Sequence, residues 1–127
     1  MLSKKPIFPQ RVRRVPTQFS WLDHRLIRDH HIERLSHPAA ALYLFLVTVS
    51  DARGLSYYSD DSIMGYLSMD HATLGNARQD LIRTGLVAWK KPLYQVLSLD
   101  VPVKKATGKD APLSLGDILT RAMRETP

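Results

Sequence analysis

The chain has 127 residues, 44% of them hydrophobic, which is enough to bury one core of ordinary domain size. The absence of cysteine excludes a disulfide framework, a thiolate nucleophile and a sulfur-based zinc site. The longest apolar run, AAALYLFLV, is too short for the roughly 20 residues of a membrane span. The basic N-terminus also lacks the apolar segment of a signal peptide, so we expect a cytoplasmic protein with no membrane partner.

The formal charge of +6 is concentrated in two parts of the chain. The first eighteen residues contain no acid and five bases, which are Lys4, Lys5, Arg11, Arg13 and Arg14. A second excess of lysine lies in residues 87–112. Such clustering indicates a polyanionic partner such as nucleic acid, although solvated basic tails have the same composition.

Residues 1–18, MLSKKPIFPQRVRRVPTQ, are predicted to form a basic flexible arm. Three prolines and the lack of helical periodicity favour an extended chain. The run RVRRVP, which contains Arg11, Arg13 and Arg14, is similar to extensions that enter a narrow minor groove of DNA. A disordered tail that only raises an association rate would have the same sequence.

The apolar residues of segment 19–35 predict either one irregular helix or a short helix with a break near His30 and His31. The segment HPAAALYLFLVTVSD predicts a buried helix that is capped by Ser36 and opened around Pro38. Gly54 suits the positive φ of a helix end, and residues 55–58 suit a short strand.

The spacing of residues 59–85 predicts two helices joined by a tight turn. In SDDSIMGYL, Ser59 is suited to cap the first helix, and two acids follow in the first turn, where the helix dipole favours them. Asp70 is suited to cap the second helix, HATLGNARQDLIRTG, which Gly85 ends. The inner stripe of this second helix consists of Leu74, Ala77, Leu81 and Ile82.

The next segment, LVAWKKPLYQVLSL, predicts two strands joined by a turn at residues 90–93. Three helices followed by this hairpin indicate a mainly α fold with a small β hairpin, of the α+β class, in the order of a winged helix-turn-helix. The predicted domain covers residues 19–100. A linker and a short C-terminal helix follow in residues 101–127, and that helix could pack on its own domain, pair with a second copy in a homodimer or dock a protein partner.

The stretch SDDSIMGYLSMDHATLGNARQDLIRTGLV resembles the winged helix-turn-helix pattern of the GntR family, S-x-x-x-L-A-x-x-L-G-V-S-R-x-T-V-R-x-A-L-x-x-L-x-x-x-G-L-I. Upstream, LSHPAAALYLFLVTVSDARGLSYYSDDSI is similar to helix-turn-helix domains of bacterial and phage replication initiators and other mobile-element proteins. This resemblance implies a DNA-binding fold over about residues 35–99. Two departures weaken it, because Gly75 stands where the family often has an arginine and Arg78 stands where it has a leucine.

The exposed candidates on the second helix lie off its inner stripe and are His71, Thr73, Asn76, Gln79 and Arg83. Asparagine and glutamine pair bidentately with adenine, although a solvated polar face would look the same. Because this helix carries little charge, we expect Lys90 and Lys91 at the hairpin turn, and the arginines of the arm, to hold DNA phosphates. Lysines placed there only for solubility would give the same pattern.

Catalytic motifs do not stand out in the sequence. His24 and His31 lie seven residues apart, but no H-E-x-x-H spacing, glycine-rich phosphate loop or G-x-S-x-G motif is present, so we expect no enzyme, metal or cofactor. The predicted function is double-stranded DNA binding by a bacterial-type protein, in transcription control or in the replication or mobility of an element. The alternative is a winged helix that binds a protein partner through Tyr57, Tyr58 and Trp89, or through the C-terminal helix.

Overall fold

The computed structural model describes residues 3–100, which form a mixed α and β structure with a small three-stranded antiparallel sheet. The helices are α1 (Arg25–Arg28), α2 (His37–Val49), α3 (Asp60–Leu67) and α4 (His71–Arg83). The strands are β1 (Leu55–Tyr57), β2 (Val87–Lys90) and β3 (Leu93–Val96). Two short 3-10 turns cover Pro9–Arg11 and Ile32–Arg34. The predicted C-terminal helix lies outside the described residues.

The N-terminal segment has little regular structure. Residues 3–20 are exposed throughout, and the turn at Pro9–Arg11 is their only regular element. Of the two alternatives for residues 19–35, the structure has the short helix with a break, because His30 adopts a positive φ of 62° between α1 and the second 3-10 turn.

Helix α2 is the central element of the core. The predicted Ser36 cap is confirmed, since its Oγ accepts a hydrogen bond of 3.2 Å from the backbone N of Ala39, and Pro38 lies in the first turn. Leu42 and Leu46 are completely buried, and α2 packs mainly against α4. A carboxylate oxygen of Asp80 in α4 accepts from the backbone N of Ser36 at 3.0 Å, which joins the start of α2 to α4.

Helices α3 and α4 begin and end at the predicted residues. Ser59 Oγ accepts from the backbone N of Ser62 at 3.2 Å, and Asp70 Oδ1 accepts from the backbone N of Thr73 at 2.7 Å. The Thr73 hydrogen bonds also lower the pKa of the Asp70 carboxyl. After α4, Gly85 has the positive φ of 77° expected at a helix end.

The sheet contains one more strand than the predicted hairpin. Strand β3 lies in the middle, in the order β1-β3-β2. Its residue Leu93 pairs with Tyr57 of β1 on one side and with Lys90 of β2 on the other. Gly54 has the predicted positive φ, 84°, but it lies in the turn before β1 and not at a helix end, because α2 already ends at Val49. A Cβ atom on Gly54 would lie 2.6 Å from the carbonyl oxygen of Val96. The turn at Gly54 therefore lets β1 approach β3 closely.

Candidate nucleic-acid interface

Helix α4 has one face in the core and one face in solvent. Leu74, Ala77 and Leu81 are buried as predicted, whereas Ile82 is only half-buried. Four of the five predicted surface residues are exposed, namely His71, Asn76, Gln79 and Arg83. Thr73 differs from the prediction because it is half-buried. Residues four and seven apart share a helix face, so Thr73 lies on the side of Ala77 and Asp80, both of which are buried.

The side chains in the middle of the exposed face of α4 are small. Gly75 and Ala72 lie between the longer side chains of His71, Asn76 and Gln79 in this face. A Cβ atom added to Gly75 would have no described heavy atom within 4 Å apart from its own helix backbone and chain neighbours. Packing within the described residues therefore gives no reason for a glycine at this position.

Arg78 carries a charge that faces inward. It is 7% exposed, and its guanidinium donates to Asp60 Oδ1 at 2.8 Å and to the Tyr94 hydroxyl at 2.9 Å. The guanidinium carbon also lies 3.8 Å from the centre of the Trp89 ring, within cation–π distance. Sequence reasoning missed this role, although the position of Arg78 four residues after Leu74 is a signal of burial.

The second arginine of α4 is also paired within the fold. Arg83 is exposed but forms an ion pair with Asp80, the carboxylate that also receives the Ser36 N–H. The described structure thus matches both arginines of α4 with acids, Arg78 with Asp60 and Arg83 with Asp80. The exposed face of α4 can contribute shape and hydrogen bonds, but little net charge.

The hairpin turn carries two exposed lysines. Lys90 and Lys91 are exposed at the junction of β2 and β3. The Arg78 hydrogen bond is the main cause of the lowered pKa of Asp60, and the charges of His71 and Lys91 lower it further. Asp60 also receives the Arg78 guanidinium, which lies over Trp89 of β2, so the first residue of α3 lies close to the hairpin.

The arm begins at the other end of the sheet. Phe19 and Trp21 line a cleft of about 460 Å³ together with Gly54 and Val96. In the register of β1 and β3, these positions lie at the end opposite to the Tyr57 and Leu93 pair that adjoins the hairpin turn. The structure leaves Arg11, Arg13 and Arg14 exposed.

An extended arm can reach well away from its contact with the domain. Ser20 Oγ donates to the backbone oxygen of Thr48 at 3.4 Å, and Arg14 lies six residues before it. At about 3.3 to 3.6 Å per residue, Arg14 could extend roughly 20 Å from that contact. Contacts from the arm to a partner of the domain are therefore geometrically allowed.

The three aromatic residues of the alternative prediction have different surroundings. Tyr58 packs edge-on against Phe45, with ring centres 5.1 Å apart, and Trp89 stacks on Tyr94 at 6.1 Å. Tyr57 alone among the three is largely exposed. Of these three residues, Tyr57 therefore presents the largest part of its ring to solvent, and Tyr58 and Trp89 are half-buried.

Residues 3–100 contain no group of three or more histidine or acidic side chains arranged to hold a metal ion, and no helix of a length and apolar character that could span a membrane. No protein-family model matches the chain, and the comparisons with curated proteins and with solved structures give no significant match.

Proposed function

We propose that this chain is a winged helix-turn-helix protein of bacterial type that binds double-stranded DNA, in transcription control or in the replication or mobility of an element. In this proposal α3 and α4 are the helix-turn-helix, and the β2–β3 hairpin is the wing. The observation that carries the proposal is the exposed polar face of α4, on a helix that Arg78 ties through Tyr94 and Trp89 to the hairpin carrying Lys90 and Lys91. This arrangement supports entry of α4 into the major groove beside a wing on the backbone.

Helix α4 would contribute discrimination between sequences. Asn76 and Gln79 are exposed near the middle of the face, and their amide groups can pair with the major-groove edge of adenine. His71 at the start of the helix can donate to a base or a phosphate. The low surface at Gly75 would let the helix backbone approach the edges of the bases.

Most of the binding energy would come from outside α4. Since Arg78 and Arg83 are paired with acids of the fold, phosphate neutralisation falls to Lys90, Lys91 and the bases of the arm. Phosphate contacts release counterions, so this division of roles predicts a strong salt dependence that originates in the wing and the arm.

The test is fluorescence anisotropy of labelled duplex DNA over a salt series, with the full chain and with a variant that lacks residues 1–18. Each phosphate contact adds about 0.9 to the slope of log K against log salt, so loss of the arm should reduce that slope by the number of its contacts. The double variant Lys90→Glu and Lys91→Glu should abolish binding. A matched control is Arg28→Glu with Arg34→Glu, which makes the same change of charge at exposed residues outside the proposed interface.

The outcomes separate clearly. Equal losses in the two double variants would mean that only net charge matters, which contradicts a wing. No binding at low salt would refute the proposal and leave the second candidate, a protein-interaction module. That candidate is favoured by one observation, because the arm exposes large apolar side chains, including Ile7 at 88% and Val15 at 77%, which phosphate contacts do not require.

A further inference from the structure

The sheet has an outer face that points away from the helices. Alternation along each strand places Ser56, Trp89 and Tyr94 on the inner face, where Trp89 stacks on Tyr94. The opposite face therefore carries the row Tyr57, Leu93 and Lys90, and beside it the row Leu55, Gln95 and Ala88.

A shallow groove of about 280 Å³ lies on this outer face. Its apolar lining is Leu55, Ala88, Trp89 and Leu93, of which Ala88 is only 7% exposed, and its polar lining is Arg53, Lys90 and Gln95. Among the described residues that line it there are two bases and no acid. The nearest acid in sequence is Asp51, whose Oδ1 is occupied by the backbone N–H groups of Arg53 and Leu55 at 2.8 and 3.0 Å.

Tyr57 does not line this groove, but it lies on the same face of the sheet and is 71% exposed. In the register, Tyr57 of β1 pairs with Leu93 of the central strand β3, and Leu93 pairs on its other side with Lys90 of β2. With neighbouring strands about 4.8 Å apart, the ring and the ammonium group start from positions roughly 10 Å apart on one flat surface. The face thus combines an exposed aromatic ring, apolar side chains and two separated positive charges.

We propose that this outer face binds single-stranded DNA, with the Tyr57 ring stacked on a base and with Arg53 and Lys90 on the phosphates. Charge complementarity favours a polyanion over an apolar peptide, since the groove is basic. The aromatic ring favours unpaired bases over a duplex, because bases inside a double helix do not offer their planes to a protein ring. Sheets that display aromatic rings are also a known type of platform for single strands.

The sheet face and helix α4 can act separately. Helix α4 packs against α2 and β2, on the inner side of the sheet, whereas the groove opens on the other side. The choice of DNA over RNA rests on the proposed duplex function, because a protein that opens or marks a DNA site meets the single strands released there. Lys90 is the one residue that both surfaces share.

The first experiment measures binding of a labelled twelve-nucleotide oligo-dT to the full chain at low salt. Tyr57→Ala should weaken binding by roughly 5- to 150-fold, the range measured when an aromatic ring that stacks on a base is removed. Tyr66→Ala is the matched control, because Tyr66 is also 71% exposed but lies on α3. We expect the control to keep wild-type affinity, and both variants keep the basic arm, so any difference between them reports the sheet face.

The second experiment separates this proposal from duplex binding. Arg53→Gln should weaken oligo-dT binding and leave duplex binding unchanged, whereas Asn76→Ala should do the reverse. Failure of duplex binding with oligo-dT binding intact would refute the proposed function alone. Retained oligo-dT binding in Tyr57→Ala, or no binding by the wild type, would refute the sheet-face site alone.

Two competitors complete the test. If oligo-rU displaces the labelled oligo-dT at a lower concentration than unlabelled oligo-dT does, the assignment to DNA is overturned. Poly-glutamate that displaces it as well as unlabelled oligo-dT would show that charge alone is recognised, which would overturn the stacking role of Tyr57. Displacement by unlabelled oligo-dT but not by poly-glutamate would support the proposal.

Discussion

Replacement of Arg78 by methionine tests whether this arginine serves the fold rather than DNA. Methionine keeps an unbranched apolar side chain, but it removes the donors to Asp60 and Tyr94 and the charge over Trp89. Burial opposes the charge on Arg78, but the hydrogen bonds to Asp60 and Tyr94 outweigh it and raise the pKa of the guanidinium. The arginine is therefore charged at all ordinary pH values.

The expected loss of stability is large. The side chains of Arg78 and Asp60 are only 9% and 29% exposed, and Tyr94 is fully buried, so removal of the arginine leaves two polar groups without their partner. Breaking a fully buried ion pair from one side costs about 3 to 5 kcal/mol; because water reaches Asp60, we expect about 2 to 4 kcal/mol here, with the lost cation–π contact within that sum. Against a total stability of about 5 to 15 kcal/mol for an ordinary domain, this is a substantial fraction of the free energy of unfolding.

The assay is urea unfolding followed by far-ultraviolet circular dichroism, because Trp89 lies under Arg78 and its fluorescence would change for local reasons. We expect the midpoint to fall with an unchanged slope. Asp60→Asn should be destabilising too, and the double variant should lose less than the sum of the single ones because the residues are in direct contact. A loss below about 1 kcal/mol for Arg78→Met would refute this reasoning.

Three further predictions use the same unfolding assay. Gly75→Ala should raise the free energy of unfolding by about 1 kcal/mol, because alanine favours the helix and its Cβ meets open space; a lower midpoint would contradict that. Gly54→Ala should lower it by at least about 1 to 3 kcal/mol, since the positive φ is strained for alanine and its Cβ would meet the Val96 carbonyl; an unchanged midpoint would show that the turn relaxes. The Arg25 hydrogen bonds lower the pKa of Asp23 to about 2, so its stabilising effect is present above the ordinary value near 3.8 and is lost as the pH falls toward 2. The midpoints of wild type and Asp23→Asn should therefore converge between pH 5 and pH 2, and a constant difference would exclude this cause.

The features that were predictable from sequence are those set by neighbours along the chain. A cap at Ser36, Ser59 or Asp70 depends on a backbone N–H three residues away, so the residue type and the following pattern are sufficient to find it. The same holds for Gly54 and Gly85, whose positive φ angles are local.

The features that were missed depend on residues far apart in sequence. Strand β1 was predicted, but its pairing with β3 joins Ser56 to Tyr94, and no local signal carries such a pairing. Arg78 and Asp80 lie within the core although the predicted inner stripe counted only apolar residues. Their burial is tolerable only because Asp60, Tyr94 and Ser36 supply partners from other elements.

These long-range pairings change what the charges of the chain can do. A count of bases along α4 and the hairpin includes Arg78 and Arg83, yet both are matched by acids of the fold, whereas residues 3–100 contain no ion pair to Lys90 or Lys91. In the proposed complex, base reading would therefore lie on a nearly uncharged helix, and phosphate binding would lie on the wing and arm. Because base contacts set preference and phosphate contacts set affinity and its salt dependence, substitutions at Asn76 and at Lys90 should alter these two properties independently.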